Sequence, residues 1–327
     1  MPISDLAAEI PGGGGNPVDS ELLPALALFP PLLLDMETLP ALRAALSDAL
    51  MAIPAAESQP VAFSERFVPG PEGAPPVRVL EYRPIDAAGP LPVVLHIHPG
   101  GYVIGTPEMM DAANREIAAQ LDCAVYSVDY RLAPETRYPG AVEDCYAVLA
   151  WLHQQAQALG LDPERIGVKG ESAGGGLAAA LALLVRDRGK LALAFQHLHY
   201  PMLDDRTTAG STSPWASELV WSPEQNAFGW SALLGDARGG GDVAPYAAAA
   251  RATDMAGLPR TFLSLGALDV LAEEGMDFAR RLLRADVPLE LHVFPGAFHG
   301  FDVASDARIG AAAKQASRDA LRRTLHG

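Results

Sequence analysis

The chain has 327 residues, 49% hydrophobic and 20% charged, with a formal net charge of -16 at pH 7. That balance is ordinary for a folded, soluble protein with a large core, and it argues against disorder over most of the length. The acidity repels phosphate backbones and so argues against nucleic acid as a partner; otherwise it serves solubility and selects no substrate.

The N-terminus, MPISDLAAEI, lacks the basic region and apolar run of a secretion signal. The apolar stretch 22–34 is interrupted by Pro24, Pro30 and Pro31 and is too short to span a bilayer. The expectation is a cytoplasmic protein without a stable membrane anchor. Gly12 to Gly15 form a flexible run, and Leu-Pro-rich pieces follow. A short helical pattern over 39–51 is closed by Pro54, so these first sixty residues read as an appendage that packs on something else. Strands then begin: 62–68 and 77–82 flank a Pro/Gly turn cluster and predict an antiparallel opening pair.

From there strands and helices alternate. Strands are predicted at 92–98, 124–129, 165–169, 194–200, 261–265 and 289–294. Helices are predicted at 111–121, 142–158, 173–188 and 273–285, with a last one from about Ala307. Short apolar strands separated by helices mean a mostly parallel sheet covered on both faces. The stretch 203–246 breaks the rhythm and carries Trp215, Trp221 and Trp230, which reads as a lid or binding element. The two cysteines, Cys123 and Cys145, are too few for a disulfide framework and read as core thiols.

Gly170-Glu171-Ser172-Ala173-Gly174 fits G-x-S-x-G and sits between a predicted strand and a long helix. That setting makes Ser172 the candidate nucleophile on a strained turn, with the helix N-terminus beside developing negative charge. The flanking glycines keep side chains from colliding with the neighbouring strand and helix. A serine that merely caps the helix is the plainer alternative. His98-Pro99-Gly100-Gly101-Tyr102 closes an earlier strand and suits an oxyanion loop. Proline has no N–H, so the donors there must be Gly100 and Gly101, joined by the amide of Ala173.

The base is expected on a loop after a late strand, where His299 lies between Phe298 and Gly300. His96, His197, His199 and His292 fall within strands and read as packed or structural, and His98 belongs to the donor loop. Asp269 ends the preceding strand and is the candidate acid, with Glu273 and Glu274 as a fallback. The chain order Ser172, Asp269, His299 is the one this kind of sheet demands.

HPGGYVIG (98–105), DYRLAPE (129–135), GESAGG (170–175), YPMLDD (200–205), GALD (266–269) and GAFHGF (296–301) stand in this order along the chain. Together they resemble the bacterial hormone-sensitive-lipase-like, or family IV, esterases, and the likeness covers nearly everything from about residue 75. It implies an α/β-hydrolase fold: a mostly parallel central sheet flanked by helices, with a helical cap. The cap would combine an N-terminal helical segment, 1–60, with an insertion, 203–246, on a catalytic domain, 61–327. It further implies hydrolysis of short- to medium-chain acyl esters through an acyl-enzyme, with a small-molecule ester as partner, no cofactor and no metal.

Two positions depart from that family: Pro99 stands where a glycine is usual, and Glu171 where Asp or Thr is common. Tyr102, Trp215 and Phe298 are candidates to line an acyl or alcohol pocket, with core packing as the alternative for each. Arg131 and Glu135 are expected in buried ion pairs rather than against substrate. Two other functions compete. A catalytically silent small-molecule receptor on this fold would have lost the histidine that this chain retains, and an amidase or peptidase would share the same triad. A homodimer is left open.

Overall fold

The computed structural model describes residues 17–27, 29, 33–52, 60–208 and 219–327. Eight strands form one sheet: β1 (Val61–Val68), β2 (Val77–Pro84), β3 (Leu91–Ile97), β4 (Ala124–Asp129), β5 (Leu161–Glu171), β6 (Phe195–His199), β7 (Arg260–Gly266) and β8 (Leu289–Phe294). Their spatial order is β1-β2-β4-β3-β5-β6-β7-β8. β2 runs antiparallel to both β1 and β4, and all remaining pairs are parallel. The parallel part requires crossover helices, which explains why apolar strands alternate with helical segments in the chain.

The first two helices, α1 (Leu23–Leu26) and α2 (Leu39–Ala52), precede the sheet. α3 (Asp111–Leu121), α4 (Gly140–Leu159), α5 (Ala173–Arg188), α7 (Ala272–Arg284) and α8 (Arg308–His326) flank it, and α6 (Pro223–Leu234) lies in the insertion. Burial along β3 shows the layering. Val93, Leu95 and Ile97 pack into the core shared with α4, α5 and α7, whereas Val94 packs into the cluster shared with α3 and α8. A strand with both faces covered has no exposed side, and all seven residues of β3 are buried.

The α3/α8 side of the sheet also carries a row of buried polar groups. His96 Nε2 lies 2.9 Å from Glu171 Oε2 and His96 Nδ1 lies 2.8 Å from Ser127 Oγ. Lys169 Nζ contacts Glu171 Oε1. His199 Nδ1 lies 2.8 Å from Ser264 Oγ, and His197 Nε2 lies 2.8 Å from Ser317 Oγ of α8. The strand histidines His96, His197 and His199 are thus satisfied in the core, as buried polar groups must be. The departure at Glu171 is accommodated here, between Lys169 and His96.

The N-terminal segment packs on two loops of the sheet's carboxyl rim. Val18, Leu22 and Ala25 share a core cluster with Phe298 and Phe301, and the Asp19 amide donates to the Gly296 carbonyl at 3.0 Å. Arg43 of α2 donates to the carbonyls of Val103 and Ala133, at 2.8 and 2.7 Å. Cys123 and Cys145 are buried free thiols. In DYRLAPE the expected ion pairs divide. Arg131 does bind Asp144, which is fully buried, at 2.7 Å; Glu135 is 64% exposed and pairs with Arg43 at the surface, so a buried role for Glu135 is corrected. No described helix is long and apolar enough to cross a membrane.

Candidate active site

Ser172 joins β5 to α5 with φ +55° and ψ −122°. Such a backbone costs a non-glycine residue on the order of 1–3 kcal/mol and persists only where its surroundings hold it. Here the Ser172 amide donates to the His199 carbonyl, and the Ser172 carbonyl accepts from Gly176 and Met202, each at 2.9 Å. The glycines at either side are demanded by close approach. A Cβ on Gly170 would lie 2.2 Å from the Gly174 carbonyl oxygen, and one on Gly174 would lie 2.1 Å from that of Ile97.

His299 hangs from the loop after β8, with Nε2 2.9 Å from Ser172 Oγ and Nδ1 2.7 Å from Asp269 Oδ2. Asp269 lies in the loop after β7, and its other oxygen accepts from the Leu271 amide at 2.9 Å. The two loops are joined by backbone bonds from Ala267 to Phe294 and from Leu268 to Ala297, both 2.9 Å. A carboxylate on Nδ1 assigns the proton to that nitrogen and leaves the Nε2 lone pair for the hydroxyl. All three side chains are buried. The fallback acids are elsewhere: Glu273 is exposed, and Glu274 accepts from the Leu203 amide at 2.6 Å and contacts the Thr207 hydroxyl.

The loop after β3 turns at Gly100 and Gly101, with φ of +131° and +58°. The amides of Gly100, Gly101 and Ala173 donate to no acceptor among the described residues. Unpaired N–H groups are what an oxyanion requires. His98, beside them, stacks on Tyr130 at 4.2 Å, and burial drives its pKa down to about 3, so it stays neutral. It has no bond to Ser172.

The three candidate lining residues fare differently. Tyr102 is 1% exposed, donates to the Met202 carbonyl at 2.9 Å and packs on Trp230, 5.1 Å between ring centres. Phe298 is fully buried and meets Phe29 edge-on at 6.1 Å. Both rings are enclosed by packing. Trp215 lies outside the described residues. Sequence reasoning passed over two rings that lie beside His299. Tyr200, in the YPMLDD motif, meets the His299 ring edge-on at 4.8 Å, and its hydroxyl donates to Asp302 at 2.8 Å. Trp221 lies 6.3 Å from His299. The signal for Tyr200 was its place at the end of β6; for Trp221 it was only membership of the tryptophan-bearing insertion.

A family model described as the alpha/beta hydrolase fold matches residues 94–303. Carboxylesterase NlhH of Mycobacterium tuberculosis is 36% identical over 271 residues, covering 81% of this chain and 83% of that protein. The chain belongs to the α/β hydrolases, among the hormone-sensitive-lipase-like esterases. Solved structures agree with this esterase over nearly its whole length. A bacterial heroin esterase superposes with a TM-score of 0.88 at 42% identity, covering 95% of this chain and 99% of that one. Esterase LipW from Mycobacterium marinum superposes with a TM-score of 0.84 at 34% identity, covering 95% and 97%.

Proposed function

We propose that this carboxylic-ester hydrolase uses Ser172 as nucleophile, His299 as base and Asp269 as orienting acid, and that it acts on short- to medium-chain acyl esters. The observation that carries the assignment is the continuous relay of 2.9 and 2.7 Å contacts from Ser172 through His299 to Asp269. His299 takes the hydroxyl proton as Ser172 Oγ bonds to the ester carbonyl carbon. The amides of Gly100, Gly101 and Ala173 hold the oxyanion, and protonated His299 hands its proton to the departing alcohol. Water then repeats the sequence on the acyl-enzyme and frees the acid. Asp269 fixes the imidazole tautomer and stabilises its charged form.

The same reading makes segment 1–60 and the insertion 203–246 one cap over the catalytic domain 61–327. It is supported by the contacts of Val18, Leu22 and Ala25 with Phe298, which carry the N-terminal segment onto the loop of the base. The reaction needs no cofactor and no anchor in a membrane, and a cytoplasmic setting is part of the proposal. So is a homodimer, for which the edge strand β8 offers exposed Leu291 and Val293. Turnover of nitrophenyl esters from acetate to palmitate, run beside Ser172→Ala, tests the function. Activity on the short and middle members that disappears in the variant is expected; activity that survives Ser172→Ala overturns the assignment.

A further inference from the structure

The residue that leads into α6 is wedged between the two halves of the catalytic site. A Cβ built on Gly101 would lie 2.3 Å from Trp221 Cη2 and 2.9 Å from Cζ2, so the indole rests directly on the α-carbon of that glycine. The same ring faces His299, tilted by 32°. Its position is fixed from several sides. Trp221 Nε1–H donates to Asn226 Oδ1 at 3.3 Å, and the Trp221 amide donates to the Leu219 carbonyl at 2.6 Å. The next residue, Ser222, opens α6 with a reciprocal cap to Gln225. Val220, just before it, is held at φ +50°.

We propose that Trp221 sets the size of the alcohol portion that this esterase accepts. The inference rests on the assignment of Ser172 and His299 given above. The carbonyl oxygen of a bound ester must point at the amides of Gly100 and Gly101, and the alcohol oxygen must come within reach of His299 Nε2 to receive its proton. A ring that touches Gly101 and faces His299 closes the sector between those two oxygens. The first carbons of the alcohol extend into that sector, whereas the acyl carbon leaves the tetrahedral centre on another side. An indole held by its own N–H and by a capped helix does not yield easily, so each added methylene on the alcohol is resisted. A single methylene that misfits an apolar pocket changes kcat/KM by about 10–200-fold.

Two ester series separate the outcomes: acetates of methanol to hexanol, and ethyl esters of acetic to octanoic acid. In Trp221→Ala the hexyl-to-methyl ratio of kcat/KM rises by about tenfold or more, while the octanoate-to-acetate ratio keeps its wild-type value. Trp221→Leu, which retains bulk and so guards against a folding failure, gives a smaller rise of the same kind. An unchanged alcohol ratio in the soluble variants, or a shift confined to the acyl ratio, overturns the proposal. Failure of the underlying assignment looks different, because wild-type turnover would then be absent or would persist in Ser172→Ala.

Discussion

The carbonyl oxygen of Gly101 packs against the α-carbon of Gly229, so closely that a Cβ on Gly229 would lie 2.6 Å from it. Helix α6 of the insertion is therefore seated on the peptide that follows Gly101. Trp230, the next residue, adds its contact with Tyr102. The loop after β3 is held by α6 and by Arg43 of α2, so its geometry depends on distant parts of the chain.

Gly229→Ala is the smallest change that disturbs this seat. The clashing partner is backbone, so either the helix or the loop must move. We expect kcat to fall by about 10–100-fold, since loss of one oxyanion donor in other enzymes costs a hundredfold or more. The accompanying loss of stability is about 1–3 kcal/mol, the usual cost of overpacking. Steady-state kinetics beside urea denaturation reads both; an unchanged kcat would show that the contact does not govern the loop.

Glu274 predicts a pH-dependent stability. Burial raises its carboxyl pKa to about 8, only partly opposed by the Leu203 amide and the Thr207 hydroxyl. The folded value lies above the unfolded one, so the contribution is complete below the unfolded pKa, in the mid-4 range, and is lost as pH climbs through about 8. Wild type should thus lose on the order of 3 kcal/mol between pH 5 and pH 8.5 that Glu274→Gln does not lose. Denaturation midpoints of both proteins across that range decide it, and parallel curves would mean that Glu274 is ionised in the fold.

Asp205 is fully buried and accepts from Arg251 Nε and Nη2 at 2.7 and 2.8 Å, and from the Gly239 amide at 2.6 Å. It ties the strand β6 exit to the far end of the insertion. Asp205→Ala leaves the largely buried Arg251 without its partner and should cost about 3–5 kcal/mol. Equilibrium unfolding in urea is the measurement, and a loss below about 1 kcal/mol, the level of a surface pair, would contradict a buried structural role.

Most of the fold could be read from the chain because its periods were unambiguous. Residues 111–121, 124–129 and 173–188 begin and end where helix and strand patterns place them. β5 starts at Leu161, four residues ahead of the expected start, because Leu161 pairs with Leu91 across a register shift that the polar Asp162-Pro163-Glu164 segment conceals. The meeting of Ser172, Asp269 and His299 was legible because each ends or follows a strand of one sheet. The aromatic rings were not, since adjacency to a motif does not tell which side of the backbone a ring takes. Tyr102 turns into the core at φ +67°, and Trp221 reaches the site through the turn at Val220. Nor was the polar row of His96, Lys169, Glu171 and His199, whose partners come from different strands.

The account depends most on Ser172 being the activated nucleophile. A fluorophosphonate probe followed by peptide mass mapping reports this directly. The prediction is one adduct, on the peptide that carries Ser172, forming rapidly in wild type and at a small fraction of that rate in His299→Ala. No adduct, an adduct on another residue, or equal rates in the two proteins would contradict it.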